Sequence, residues 1–419
     1  MSNERAAFDA DVLIGGGGLV GQTLALALAQ AGLSVAVVDA SKPAETLAPN
    51  FDGRAFAIAF ASYRMWRALG VAEALDPVVQ PIEHIMVTDG RLGQGRGASL
   101  LHLHFDRAEM GDTDEPLGLM VENRYLRLAL DERVRATPEI KMIQPMAITA
   151  LARDAAGVTA TLADGRALRA SLLVGADGRR SFVRPWEGVR TIGWDYPATA
   201  IVATIQHELP HNGVAHEFFL PNGPFAILPL KGERANIVWA EPRAAAETLL
   251  NMPEADFLAE LHRRFGDFLG ALRLEGPRFG YPLSLQLAER MIGARVALAG
   301  DAAHGIHPLA GQGLNLGLKD VAALAECVSD AVNLGLDPGD VAALERYQRW
   351  RRFDNVTMAL GMEFFDKVFS NDITPLRLAR RVGLGAVNAI GPARRFFMKY
   401  AGGAAGDLPK LLRGETPAA

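Results

Sequence analysis

Three short apolar runs without alternation punctuate this 419-residue chain, and each ends in a glycine-bearing turn. Val12–Ile14 leads into Gly15–Gly18, the strand opening Ala170–Arg184 leads into Gly175-Ala176-Asp177-Gly178, and Val296–Ala299 leads into Gly300-Asp301. Unbroken apolar runs bounded by turn residues are the pattern of strands buried on both faces. After the first run, Leu24, Leu28 and the surrounding alanines keep a helical period, and Val35–Val38 is a second apolar strand. Strand, tight turn, helix and strand are therefore expected in that order. After the third run, a helix is expected from about Gly313.

Elsewhere the pattern changes to period two. IEHIMVTDGR with SLLHLHF, and TAIVATIQHEL through FAILPLKGERANIVWAEP, alternate as half-buried strands do, with a hairpin expected around Gly232. From Asp340 the chain reads as helical, with Trp350, Phe364, Phe365 and Phe369 at packing positions. There is no internal repeat and no low-complexity linker.

Composition narrows the classes. The length suggests two or three domains, and 49% hydrophobic with 22% charged residues is an ordinary globular balance. A net charge of −5 gives no sign of nucleic-acid binding. The single cysteine, Cys327, excludes an internal disulfide framework and a multi-cysteine metal site; it reads as a small buried residue in a reducing cytoplasm. Val12–Ala29 is nearly free of charge, but Glu4, Asp9 and Asp11 precede it and five of its residues are glycines, so it reads as a buried turn-and-helix, not a membrane anchor.

The first turn carries Gly16-x-Gly18-x-x-Gly21 between a strand and a helix, the pattern in which glycines let a pyrophosphate approach backbone at a helix N-terminus. Asp39 closes the second strand, where a carboxylate takes ribose hydroxyls and disfavours a 2′-phosphate. The fingerprint alone leaves NAD and FAD open. The later Asp177 and Asp301 turns favour FAD: an aspartate at a strand end can accept from a sugar-alcohol chain, and a helix N-terminus near Gly313 can face the negative pyrimidine side of a reduced flavin.

With these motifs in order, the chain resembles the class A flavoprotein aromatic hydroxylases, and within them the ubiquinone-biosynthesis hydroxylase family. Further matching stretches are DGRAFAIAFASYRMWRALGV, VENRYLRLALDERV, GDAAHGIHPLAGQGLNLGLKDVAALAE and the tail PARRFFMKYAGG…LPKLLRG. The resemblance implies an α/β fold: a Rossmann-like FAD-binding domain from residues 1–75, 105–184 and 281–339, an inserted β-sheet substrate domain from 76–104 and 185–280, and a helical C-terminal region over 340–419. It places Gly16, Gly18, Gly21 and Asp39 at the ADP half of FAD, and Arg54 and Arg124 at cofactor-contacting arginine positions. Asp177 falls in a motif for FAD and reduced pyridine nucleotide, and Asp301 at the ribityl and phosphate region. Pro308 with Gly311-Gln312-Gly313-Leu314-Asn315 would line the flavin ring. Asp39 stands where glutamate is commoner.

The activity this implies is hydroxylation of an aromatic ring carbon of a polyprenylated phenol by O₂, through a C4a-hydroperoxide of the flavin. NADPH or another donor would reduce the flavin in a transient encounter, since only one complete nucleotide fingerprint exists. Subunits of a ubiquinone-biosynthesis complex are expected partners. Two alternatives stay open: a related flavoenzyme acting on a soluble phenolic acid or isoprenoid, and a non-catalytic FAD-binding subunit. No catalytic acid or base and no metal site is assigned. His102 and His104 share a strand face but read as surface residues, and His304 and His307 either fix the turn or meet the cofactor. From Pro375 onward eight basic residues face two acidic ones, with Leu376, Ala379, Val382, Val387 and Ile390 at helical spacing. That segment is either a solvated face or a peripheral contact with the inner membrane.

Overall fold

A computed structural model describes residues 8–47, 53–89, 102–110, 115–220, 222–305, 312–352, 354–355, 398, 402–404 and 406–416. His307, Pro308, Gly311, the side chains of His102 and Gln312, and most of the basic segment from Pro375 lie outside the described residues.

The first sheet is built on parallel strands. Ala10–Gly15 lies between Val35–Val38 and Ala167–Gly175, with Leu13 opposite both Ala36 and Leu173. Ile140–Ile143 and Val296–Leu298 extend the two sides. Helices cover such a sheet, so its strands cannot alternate: all four residues of Val35–Val38 are buried. The helix Leu19–Gln30 is buried from Gly21 to Ala29 for the same reason, since it packs between this sheet and the long helix Gln312–Asn333. Ile148–Arg153 and Val158–Leu162 add an antiparallel excursion to Ala167–Gly175.

The second sheet runs, strand to strand, His304–Gly305, Leu272–Ala288, Thr191–His207, Arg234–Pro242, Gly223–Leu230, Val214–Leu220, His84–Asp89 and His102–Asp106. The hairpin expected at Gly232 is present, with Leu230 opposite Arg234 and φ +80° at the glycine. One face buries Ile201, Phe225, Ile237 and Trp239 beneath the helices Arg243–Asn251 and Glu254–Phe265. Alternation then turns Val202, Ala226 and Val238 to the opposite face, toward the first sheet.

A small sheet joins the two. Ala55–Ala59 and Gln80–Ile82 flank Gly118–Glu122, so residues 80–82 pair away from the alternating strand that follows them. Leu272–Ala288 runs straight across position 281 and meets His304–Gly305 at its end, tying the third glycine turn to the second sheet. Residues 341–352 are helical and pack back on the first sheet, where the Tyr347 hydroxyl donates to the Leu298 carbonyl at 2.8 Å.

Candidate functional site

The three fingerprint glycines stand where they do for different reasons. Gly16 has φ +107°, and a Cβ there would sit 2.3 Å from the Ala176 carbonyl oxygen. A Cβ on Gly21 would sit 1.9 Å from the Gly16 carbonyl oxygen, so this glycine lets helix and turn touch. Gly18, the residue before the helix, meets nothing within 4 Å. Its missing side chain serves no contact inside the protein; it leaves room beside the helix N-terminus for a group from outside, and the amides there suit a phosphate.

Asp39 faces this turn. Its Oδ2 accepts the Gly17 N–H at 2.6 Å and its Oδ1 the Ser41 N–H at 2.7 Å. Each oxygen keeps a further lone pair for a sugar hydroxyl. Asp177 does structural work: Oδ2 accepts the N–H groups of Phe182 and Val183 at 2.6 and 3.1 Å, starting the short helix Val183–Trp186, while Oδ1 is buried with no hydrogen bond among the described residues. Arg124 pairs with Glu122 at 2.9 Å and lies over the Tyr125 ring. Arg54, the other expected arginine, lies in the cavity wall described below.

The third turn is held by a buried ion network that the sequence did not reveal. Asp320, fully buried, takes His304 Nε2 at 2.5 Å, the Gly300 N–H at 3.0 Å and Arg351 Nε at 2.8 Å. Burial opposes its charge, but the imidazole and guanidinium outweigh that and hold its carboxyl below the usual range. Of the two roles open to His304, the geometry gives it the one of fixing the turn. Asp301, the next residue, is exposed to the cavity. Cys327 is buried, and its thiol is pushed up to about 12 by burial.

The Asn315 side chain ties two parts of the fold together. Its amide donates to the Ala57 carbonyl at 2.8 Å and its carbonyl accepts the Ala59 N–H at 2.9 Å, so the side chain staples the long helix to the small sheet. Any contact of residue 315 with a cofactor would come from backbone. Asn315→Ala is expected to destabilise the fold by about 2–4 kcal/mol, because two buried backbone groups lose their partner; a denaturant titration checks it.

These elements enclose a cavity of about 470 Å³. Val20, Arg54, Asp301, Gly313 and Leu314 wall one side, and Ala200, Val202, Ala226, Leu228 and Val238 of the second sheet wall the other. Asn236 closes one edge, its amide donating to the Gly53 carbonyl at 3.0 Å and fixing the backbone next to Arg54. Arg179, also in the wall, donates to the Ser284 hydroxyl. One acid interrupts the apolar wall, Glu217, whose carboxyl is pushed up to about 8 by burial. His104 lies beside His84 and Asp106 instead, across the hairpin at the far edge of the second sheet.

The first and third glycine turns, the strand-end carboxylates and the cavity lie where the first and second sheets meet. Residues 9–353 match the family of FAD binding domains. Over 410 residues the chain is 50% identical to the ubiquinone hydroxylase UbiL of Rhodospirillum rubrum, covering 97% of this chain and 93% of that protein. This chain belongs to the ubiquinone hydroxylase family of FAD-dependent monooxygenases. The hydroxylase is also 36% identical over 393 residues to the 3-demethoxyubiquinol 3-hydroxylase of Escherichia coli, covering 93% and 98% of the two chains. Its fold matches the p-nitrophenol 4-monooxygenase PnpA of Pseudomonas putida with a TM-score of 0.77 at 21% identity, over 95% of this chain and 99% of that one. FAD is its cofactor, as the three turns together implied.

Proposed function

We propose that the enzyme hydroxylates an aromatic ring carbon of a polyprenylated phenol in ubiquinone biosynthesis, using O₂. The observation that carries this reading is the cavity: a wall of Ala200, Val202, Ala226, Leu228 and Val238 set against the Asp301 and Gly313 turns. When bound, FAD supplies the redox chemistry, taking up reducing equivalents and activating O₂. The protein's part is to bind, orient and exclude water. Gly18 and Asp39 would hold the ADP half, Asp301 the polyol chain, and the backbone at Gly313 and Leu314 the ring edge, where the N-terminus of Gln312–Asn333 favours negative charge. The apolar wall formed by Ala200, Val202, Ala226, Leu228 and Val238 would pack against an aromatic ring and help to keep water from it.

NADPH is the proposed electron donor, reducing the flavin in a transient encounter. A polyprenyl tail calls for delivery from a membrane surface. No helix among the described residues is long and apolar enough to cross a bilayer. The basic C-terminal segment would supply peripheral contact: of its cations, Lys410 and Arg413 are paired with Asp330 and Glu415, and the other six lie outside the described residues.

The test is anaerobic reduction by NADPH, followed at the flavin absorbance with and without a short-chain polyprenylphenol. Reduction faster with the phenol is expected; reduction indifferent to the phenol goes against it. Asp301→Ala is expected to lower FAD retention at least tenfold, about 1.4 kcal/mol of lost hydrogen bonding, and full flavin occupancy in that variant would remove Asp301 from the site.

A further inference from the structure

One row of paired residues across the cavity face of the second sheet is apolar except at a single position. Leu103, Val87, Glu217, Ala226, Val238 and Val202 form a continuous row across neighbouring strands. Along its own strand Glu217 shares that face with Ala215 and Phe219, both buried. Its carboxyl lines the cavity, with no hydrogen bond or ion pair to any described residue. The charged or titratable groups lining the same cavity are Arg54 at the edge of the small sheet, Arg179 and Asp301 on the second and third glycine turns, and Tyr281 on the neighbouring strand Leu272–Ala288. None of them pairs with Glu217; Arg179 is turned to Ser284.

Glu217 is half-buried, and a carboxylate ionised on this apolar wall would lose part of its hydration and gain no partner, which pushes its carboxyl up to about 8. A neutral carboxyl has one O–H to donate, and on an apolar wall few groups can accept it. The protein offers none among the described residues. The acceptor therefore belongs to what enters the cavity.

We propose that Glu217 is a catalytic residue that touches the substrate, donating its O–H to an oxygen on the bound aromatic ring and thereby selecting which ring carbon faces the flavin. This rests on the phenol reading above. The proton stays on Glu217 throughout, and no substrate bond is made or broken there.

The test is the pH dependence of KM, together with the ring position of the product, for wild type, Glu217→Ala and Glu217→Gln with a short-chain polyprenylphenol. In the wild type KM should rise as pH passes about 8, because the donor is present below the folded-state value and lost above it. Glu217→Ala should raise KM at neutral pH by about three- to tenfold, the size of one neutral hydrogen bond, and broaden the product positions. Glu217→Gln, which keeps a donor of similar shape, should recover part of that loss and lack the alkaline rise. A readout free of activity accompanies it. An acid raised from about 4.5 to about 8 on folding penalises the folded state increasingly across that window. Glu217→Gln should therefore gain unfolding temperature over the wild type as pH climbs from 4.5 to 8. An alkaline KM rise unchanged in Glu217→Gln, or an unchanged KM in Glu217→Ala, overturns the proposal. A wild type that hydroxylates no phenol sinks the functional reading and this proposal with it, whereas a working wild type with indifferent variants sinks the role of Glu217 alone.

Discussion

Asp320→Ala is expected to destabilise the hydroxylase by about 3–5 kcal/mol and to empty it of FAD. The substitution leaves Arg351, only 3% exposed, without the carboxylate that neutralises it, and the buried His304 without its hydrogen-bond partner. Burying an uncompensated cation is far worse than never having had the pair. The Gly300 N–H loses its acceptor in the same stroke, and Gly300 sets the turn that presents Asp301 to the cavity. Stability and cofactor occupancy should fall together, measured by urea denaturation and by flavin absorbance relative to protein. Normal FAD occupancy in Asp320→Ala would show that the network does not set the turn. The wild-type contribution has a pH sign as well: the Asp320 carboxyl is held below its unfolded range, so its stabilisation is present above about 4 and fades on acidification.

The second large effect separates cofactor binding from folding. Gly18→Asp should lower FAD affinity by about 100-fold or more while leaving the apo fold as stable as before. At this position φ is −75°, a conformation any residue adopts, and the space beside it is open. Aspartate is moreover a favoured residue at the start of a helix. What it disturbs is the incoming ligand: its carboxylate would stand at the pyrophosphate, and opposed like charges cost several kcal/mol. Gly21→Ala is the contrasting control, since its Cβ would overlap the Gly16 carbonyl and damage the fold itself. Equal flavin content in Gly18→Asp and wild type would mean the phosphate site lies elsewhere.

The parts legible in the sequence were those written in local pattern. The parallel strands showed as unbroken apolar runs, the hairpin as Gly232 between alternating segments, and the phosphate turn as three spaced glycines. What escaped were residues whose meaning depends on distant neighbours. Asn315 sits beside the flavin turn in sequence, yet its partners are 258 and 256 positions away at Ala57 and Ala59. Glu122 pairs with Arg124 and also holds Arg234 of the second sheet at 2.7 Å. Two signals were available and went unread. Asp320 interrupts the apolar run of a buried helix, and Glu217 falls on the same strand face as Ala215 and Phe219. A lone acid on an apolar face is costly unless it is paired or functional; here one is each.

The central claim is that this chain uses FAD and O₂ to put a hydroxyl on a phenolic ring. Turnover of the FAD-loaded enzyme with NADPH, a short-chain polyprenylphenol and ¹⁸O₂ tests it most directly, read by mass spectrometry of the product. The account predicts a ring-hydroxylated phenol carrying a single oxygen atom from labelled O₂ and none from water. Flavin that is reduced and reoxidised with only hydrogen peroxide formed, and no labelled phenol, would contradict it.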